Sequence, residues 1–429
     1  MKHFLFECKK LGKQKVVWFT VVLAFGAAIS LYFLQYAIAE KMQTQNQLKE
    51  ESALQQFEAW LAQGEKEYEQ LLVESDDGEA IKAAEENVAR LELSVKNRVE
   101  LLNNLENNDW NQLYEAHIEE LATFLTPEAS MNIEEQPILS FTLRASKEEA
   151  EWLKEKALTP FVYDWRFGFY HPTIYDTFTG RAEQSWHALT KRYGQTGLYY
   201  LYQMMEKNYV LLAILIGLFI FGNTISSEST RKKRGLSFYF VQPIRKWALF
   251  FAKYSSGLIA TGGFLFMVIL LPLVASLFTK GIGSWAYPVL VYEGAIPNSF
   301  GDQYTKLSAE NDQFHFIPLS EYAWKTAVLA LLLLLFLYGL YLCFSYMIKN
   351  PPVNLLIVGA IVFGGMNWLP VSRWNPFTYA DIHRVLNGEL ATLTINPSIQ
   401  FENGVLLLSI IGVVLIGINA LLFRYATHQ

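Results

Sequence analysis

The sequence predicts an all-α polytopic membrane protein with six transmembrane helices and a mainly helical, minor-β soluble domain between the first and second. Three observations predict it. Of the 429 residues, 52% are hydrophobic and only 18% charged. The apolar residues gather in six long uncharged runs, and a bilayer core of about 30 Å needs roughly 20 helical residues to cross. The charge is also divided: residues 40–207 carry 16 basic and 31 acidic side chains, a balance of −15, whereas the rest of the chain carries 19 and 10, a balance of +9.

The six runs are 16–39, 209–225, 254–278, 326–348, 353–371 and 405–423. The second is short, and its aromatic lead-in at 197–207 (Leu198, Tyr199, Leu201, Tyr202, Met205) is expected to continue the same helix past the membrane surface, with tyrosines at headgroup depth. Lysine and arginine set the orientation. Lys2, Lys9, Lys10, Lys13 and Lys15, then Arg231, Lys232, Lys233, Arg234, Arg245 and Lys246, then Lys349 and Arg424 mark cytoplasmic segments. The stretches 40–207, 279–325 and 372–404 therefore face outward, and both termini face inward. A signal peptide ending at Ala37-Ile38-Ala39 is disfavoured, because the apolar run exceeds the roughly 7–15 residues of a signal core.

Within the outer domain, apolar positions Leu48, Leu54, Phe57, Leu61, Tyr68 and Leu71 mark one helical face, and Ile81, Ala84, Val88, Leu91, Val95, Val99, Leu102 and Leu105 mark a second. The turn cluster Ser75-Asp76-Asp77-Gly78 between them makes an antiparallel hairpin. Further on, 138–143 alternates as a short strand, and Ser146 with Glu149 reads as a capping box for a helix to Lys156. The aromatic stretch 161–178 is expected to fill the core of this domain in preference to lining a ligand surface. Cys8 and Cys343 both lie outside the domain, so it has no disulfide.

Several chemistries are excluded. No Gly-x-x-x-x-Gly-Lys-Ser/Thr loop occurs, so the chain does not bind ATP in that manner. The seven histidines make no His-Glu-x-x-His pair, no nucleophile elbow is present, and no metal site or enzymatic constellation is expected. An acidic outer domain argues against nucleic acid as a partner. The spans hold essentially no ionisable group at mid-depth, where ion-coupled transporters place one.

The informative segment joins spans two and three. It reads Glu228, then Arg231-Lys232-Lys233-Arg234-Gly235, then Pro243-Ile244-Arg245, then Lys253. A basic anchor on anionic lipid explains the charge but not the acid, glycine and proline in that order. This order resembles the ABC-2 type permease family, the membrane subunits of one class of ATP-binding-cassette exporters. The resemblance implies that loop 226–253 forms a coupling helix that docks on a separate cytosolic ATPase subunit, through Glu228, Arg231, Lys232, Lys233, Arg234, Gly235, Pro243, Arg245 and Lys253.

Two further stretches look like the family's framework. Phe4-Leu5-Phe6-Glu7-Cys8-Lys9-Lys10 with Trp18 resembles its interfacial helix before span one, and 369–403, with Pro370, Trp374, Asn375, Pro376 and Phe377, resembles its re-entrant segment between spans five and six. With the charge division and the apolar runs, the domains are 1–39, an outer domain at 40–207 and a permease core at 208–429. ATP and Mg would belong to the ATPase partner, this chain binding no cofactor and catalysing nothing itself. A second permease copy or a related permease would complete the path in a bacterial cytoplasmic membrane. The large insert is a departure that leaves the cargo open: a peptide, antibiotic or other amphipathic compound, or alternatively sodium or another ion. A non-transporting receptor or scaffold is the alternative from a different class.

Overall fold

A computed structural model describes residues 2–429 except 75–76, 108, 127–130, 164–168, 225–244, 295–306, 349 and 426–429. The described chain is mostly helical and divides into two compact units, 1–34 with 196–429, and 35–195. This division leaves 196–207 with the first unit. Helix α2 (Lys15–Glu74) gives its apolar start to the first unit and its polar remainder to the second.

In the second unit, α2 and α3 (Gly78–Asn107) form the expected antiparallel hairpin. Arg98 pairs with Glu50 and lies over the Phe57 ring, and Gly64 lets Leu91 and Val88 approach. Asp77 Oδ1 accepts from the amides of Glu79 (3.1 Å) and Ala80 (3.3 Å), as a helix cap should. Beyond lie α4 (Trp110–Phe124), the two-residue strands β1 (Asn132–Ile133) and β2 (Gln136–Pro137), α5 (Ser140–Glu155) and α6 (Arg181–Leu189).

The strand expected at 138–143 is not formed: 140–143 are instead the first turn of α5, and Leu139 is its extended cap. Phe141, Ala145, Glu149 and Leu153, with Thr142, Ser146 and Ala150, are all buried, a helical spacing that the local alternation concealed. The expected capping box is also corrected, because Ser146 and Glu149 sit inside the helix and act across the fold. Ser146 Oγ accepts from the His171 amide (2.9 Å), and Glu149 Oε2 meets His171 Nδ1 at 2.9 Å. Of the aromatic stretch, Phe169, Tyr170 and Tyr175 are core residues, Tyr170 packing with Leu121, Ile133 and Trp186.

In the first unit, α1 (Lys2–Gly12) precedes α2, and the rest comprises α7 (Gly197–Glu206), α8 (Tyr209–Phe221), α9 (Lys246–Ser276), α10 (Leu319–Ser345), α11 (Pro351–Asn367) and α14 (Phe401–Tyr425). Between α11 and α14 stand a 3-10 turn at Pro376–Ala380, α12 (Ile382–Leu386) and α13 (Glu389–Leu393). Among the described residues α2, α9, α10 and α14 are long and apolar enough to cross a membrane, and α7 with α8 would add a fifth span if one bent pair counts. Helix α11, of 17 residues, is apolar but shorter.

Lead-in helix α7 does not continue α8: the two meet at an 81° bend. Asn208 makes the corner in the left-handed region (φ 56°, ψ 28°), a conformation asparagine tolerates better than most residues, and its amide donates to Ala380 O at 3.1 Å. Tyr199, Tyr200 and Tyr202 are consequently buried in protein. The segment after α9 holds an antiparallel hairpin, β3 (Pro288–Tyr292) with β4 (Phe314–Pro318), Leu290 opposite Phe316.

Helices α10 and α14 meet at glycines. A Cβ on Gly339 would fall 2.9 Å from Leu415 Cβ, and one on Gly412 would fall 2.9 Å from Leu335 Cδ2. Asn419 spans the same seam by donating to Gly339 O (2.9 Å).

Candidate functional site

Of the residues expected to couple to an ATPase, Glu228, Arg231, Lys232, Lys233, Arg234, Gly235 and Pro243 lie outside the described residues. The described part begins with Arg245, the extended residue that caps α9 (φ −63°, ψ 120°). A cleft of about 660 Å³ opens beside it, lined by Arg245, Lys246, Trp247, Phe250, Phe423 and Arg424. The rings of Phe250 and Phe423 lie 5.6 Å apart, so the end of α14 packs on the first turns of α9. Three cations around an apolar floor form a surface suited to carboxylates or phosphates.

Two turns into α9 stands Lys253, which is not at the surface. Its side chain is fully buried, and its Nζ donates to Glu7 Oε1 at 2.8 Å, with Glu7 itself 3% exposed. Helix α1 is oriented to make this pair: Phe4, Glu7, Cys8 and Leu11 form its inward face, while Leu5 and Phe6 are exposed and Lys9 lies on the outer side. Lys10 is half-buried. An isolated charge at either position would carry a desolvation penalty of several kcal/mol, so each residue explains the other's presence. The sequence signal was available, since Glu7 interrupts the apolar face of an amphipathic helix and Lys253 borders an apolar run. The pairing was not readable, because 246 positions separate the two.

The segment resembling a re-entrant region is a chain of short helices held by its own polar groups. Asn375 Oδ1 accepts from the Phe377 amide (3.0 Å), and its amide nitrogen donates to Gly365 O and Pro370 O (both 3.2 Å). Pro376 occupies the first turn, where a missing N–H costs nothing. Phe377 packs on Gly365 and, at 5.5 Å between rings, on Phe336. Trp374 is exposed, with the Arg373 guanidinium over its ring at 4.8 Å.

A second buried polar cluster was missed in the sequence. His383 Nδ1 lies 2.9 Å from Tyr322 Oη, and His383 Nε2 lies 3.2 Å from Asn387 Nδ2. Asn387 Oδ1 accepts from the Glu389 amide (3.0 Å), which fixes the side chain with its NH₂ toward the imidazole. His383 Nε2 must then be the acceptor and Nδ1 the protonated nitrogen, so the ring is neutral in this arrangement. Tyr202 packs edge-on against both Tyr322 and His383. The cluster thus joins α7, α10 and α12 through groups scattered over the sequence. Next to it Asp381 caps α12, and burial raises its carboxyl above the ordinary aspartate range despite the nearby Arg384.

Among the described residues no group of three His, Cys, Asp or Glu side chains is arranged to hold a metal. Compared with family models, with curated proteins and with solved structures, the chain gives no match in any of the three.

Proposed function

We propose that this chain is the permease subunit of an ATP-driven ABC-2 type exporter. In this reading α2, the α7–α8 pair, α9, α10, α11 and α14 are six spans, with both termini cytoplasmic in a bacterial cell membrane. Two copies, or one with a related permease, form the path for a peptide, antibiotic or other amphipathic compound. Nucleotide and Mg are handled by separate cytosolic ATPase subunits.

The observation that carries the reading is the buried Glu7–Lys253 pair at the end of the loop whose residue order resembles a coupling helix, where Lys253 holds α1 and has no exposed side chain to dock with. A push delivered at 228–245 enters α9 at Arg245, and two turns later the ion pair passes it to α1. Loop, span and interfacial helix then move as one body between two states, an equilibrium that ATP binding in the partner biases.

The test is copurification with a span-less P-loop ATPase encoded beside this chain, followed by ATPase measurements in the complex. Reversing charge at Arg231 to Arg234, or making Glu228→Gln, is expected to lower assembly or ATPase stimulation while membrane insertion persists. Unchanged assembly and transport in both variants would remove the docking role.

A further inference from the structure

An open apolar groove of about 330 Å³ runs between α1, α2 and α9, with Leu11, Val21, Phe25, Ile259 and Phe264 among its walls. It belongs to neither the basic cleft nor the His383 cluster. Two of its lining residues, Gly12 and Gly263, have no atom within 4 Å of where a Cβ would stand, so the walls leave it unfilled. Along α9 it extends from Ser256 to Met267, about 16 Å at a rise of 1.5 Å per residue, which matches the inner part of an extended acyl chain.

The groove's mouth is cationic. Gly12 and Val17 line it, and the exposed Lys13 and Lys15 sit between them in sequence, with exposed Lys9 one turn earlier. Glu7, the one carboxylate on α1, is not among the lining residues and is buried in its pair with Lys253. Trp18 Nε1 donates to Gly12 O at 2.7 Å and holds the α1–α2 corner over the opening.

We infer that this groove seats one acyl chain of an anionic phospholipid, its phosphate held by Lys13 and Lys15 at the α1–α2 corner. Apolar length below and lysines above fit that one ligand chemistry, whereas a zwitterionic lipid would gain the apolar part alone. The inference rests on α2 and α9 being membrane-embedded and not on the exporter reading.

The experiment uses the full chain in nanodiscs containing phosphatidylglycerol or phosphatidylcholine probes with a photoactivatable group at mid-chain, and maps the labelled peptides. The phosphatidylglycerol probe is expected to label 17–25 and 256–267 roughly tenfold above the phosphatidylcholine probe, and Lys13→Gln with Lys15→Gln to bring that ratio near one. Gly263→Trp should fill the groove and abolish its labelling while the exposed Ile410 and Val413 face of α14 stays labelled by both probes. If that variant fails to fold, Gly12→Leu fills the other end to the same expected effect. Equal labelling by the two headgroups, persistent labelling in a folded filled variant, or cross-links to a second copy in place of lipid would each overturn the proposal. Label on α14 with none in the groove overturns the groove alone. Absence of label on both would sink the membrane reading and the groove with it.

Discussion

Glu7 and Lys253 form a 2.8 Å ion pair with almost no solvent on either side chain, binding the first helix of the chain to a span that begins more than 200 residues later. Removing Glu7 leaves a buried lysine without its carboxylate, and removing Lys253 leaves a buried carboxylate without its cation. Glu7→Gln or Lys253→Met is therefore expected to destabilise the protein by about 3–5 kcal/mol, whereas Glu7→Leu combined with Lys253→Met should recover most of it. Thermal unfolding in detergent checks this, and a double variant no better than the singles would mean the pair has other buried partners. In a complex with the proposed ATPase partner, a recovered melting temperature with lost ATPase stimulation would separate the proposed mechanical use of the pair from its stability.

Glycines at helix seams differ from those that are merely helical. A Cβ on Gly257 would lie 2.1 Å from Tyr338 Oη and 3.1 Å from Phe221 O, whereas one on Gly359 meets nothing within 4 Å. Gly257→Ala is expected to cost about 1–3 kcal/mol through overpacking, and Gly359→Ala to be neutral or stabilising by up to about 1 kcal/mol. Comparing the two melting temperatures tests the seam directly, since helix propensity alone predicts a gain in both.

Topology is tested by single cysteines in a background lacking Cys8 and Cys343. Asp77, Asn311 and Trp374 are exposed, and cysteines there should react with an impermeant thiol reagent from outside intact cells. One at the exposed Lys13 should not. Asn387, in the same outward-facing stretch as Trp374, is buried against His383, so a cysteine there would be shielded from the reagent on either side. Outside labelling at Lys13 would reverse the orientation.

Four of the six apolar runs were legible as helices long enough to cross a membrane, because an apolar run of that length is a one-dimensional signal. The hairpin of α2 and α3 was legible for a similar reason, as each stripe repeats at helical spacing on its own. What failed depends on partners remote in sequence. The corner at Asn208 is fixed by Ala380 O, and the start of α5 is fixed by burial of Phe141, Ala145 and Glu149, not by the alternation around them. The Tyr322–His383–Asn387 cluster offered no spacing to find, since Tyr322 lies 61 residues before His383. The segment read from residue order alone, Glu228 to Pro243, lies outside the described residues.

In the second unit Asp176 is half-buried beside α5: Thr142 Oγ1 donates to its Oδ1 at 2.6 Å and the Thr173 amide to its Oδ2 at 2.7 Å. Burial outweighs these bonds and pushes the carboxyl from 3.8 up to about 6. Between those two values the folded state holds a proton that the unfolded state has released. The contribution of Asp176 to stability is therefore fully present below the unfolded value and is lost as pH rises through about 6. Asp176→Asn keeps an acceptor for the Thr173 amide and offers an NH₂ to Thr142 Oγ1 without ionising. Melting temperatures of the wild type should accordingly fall between pH 4.5 and 7 relative to those of the variant, and the two curves should run parallel above pH 7. Parallel curves across the whole range would show that Asp176 is ionised throughout, and that its hydrogen bonds, not its burial, set its charge.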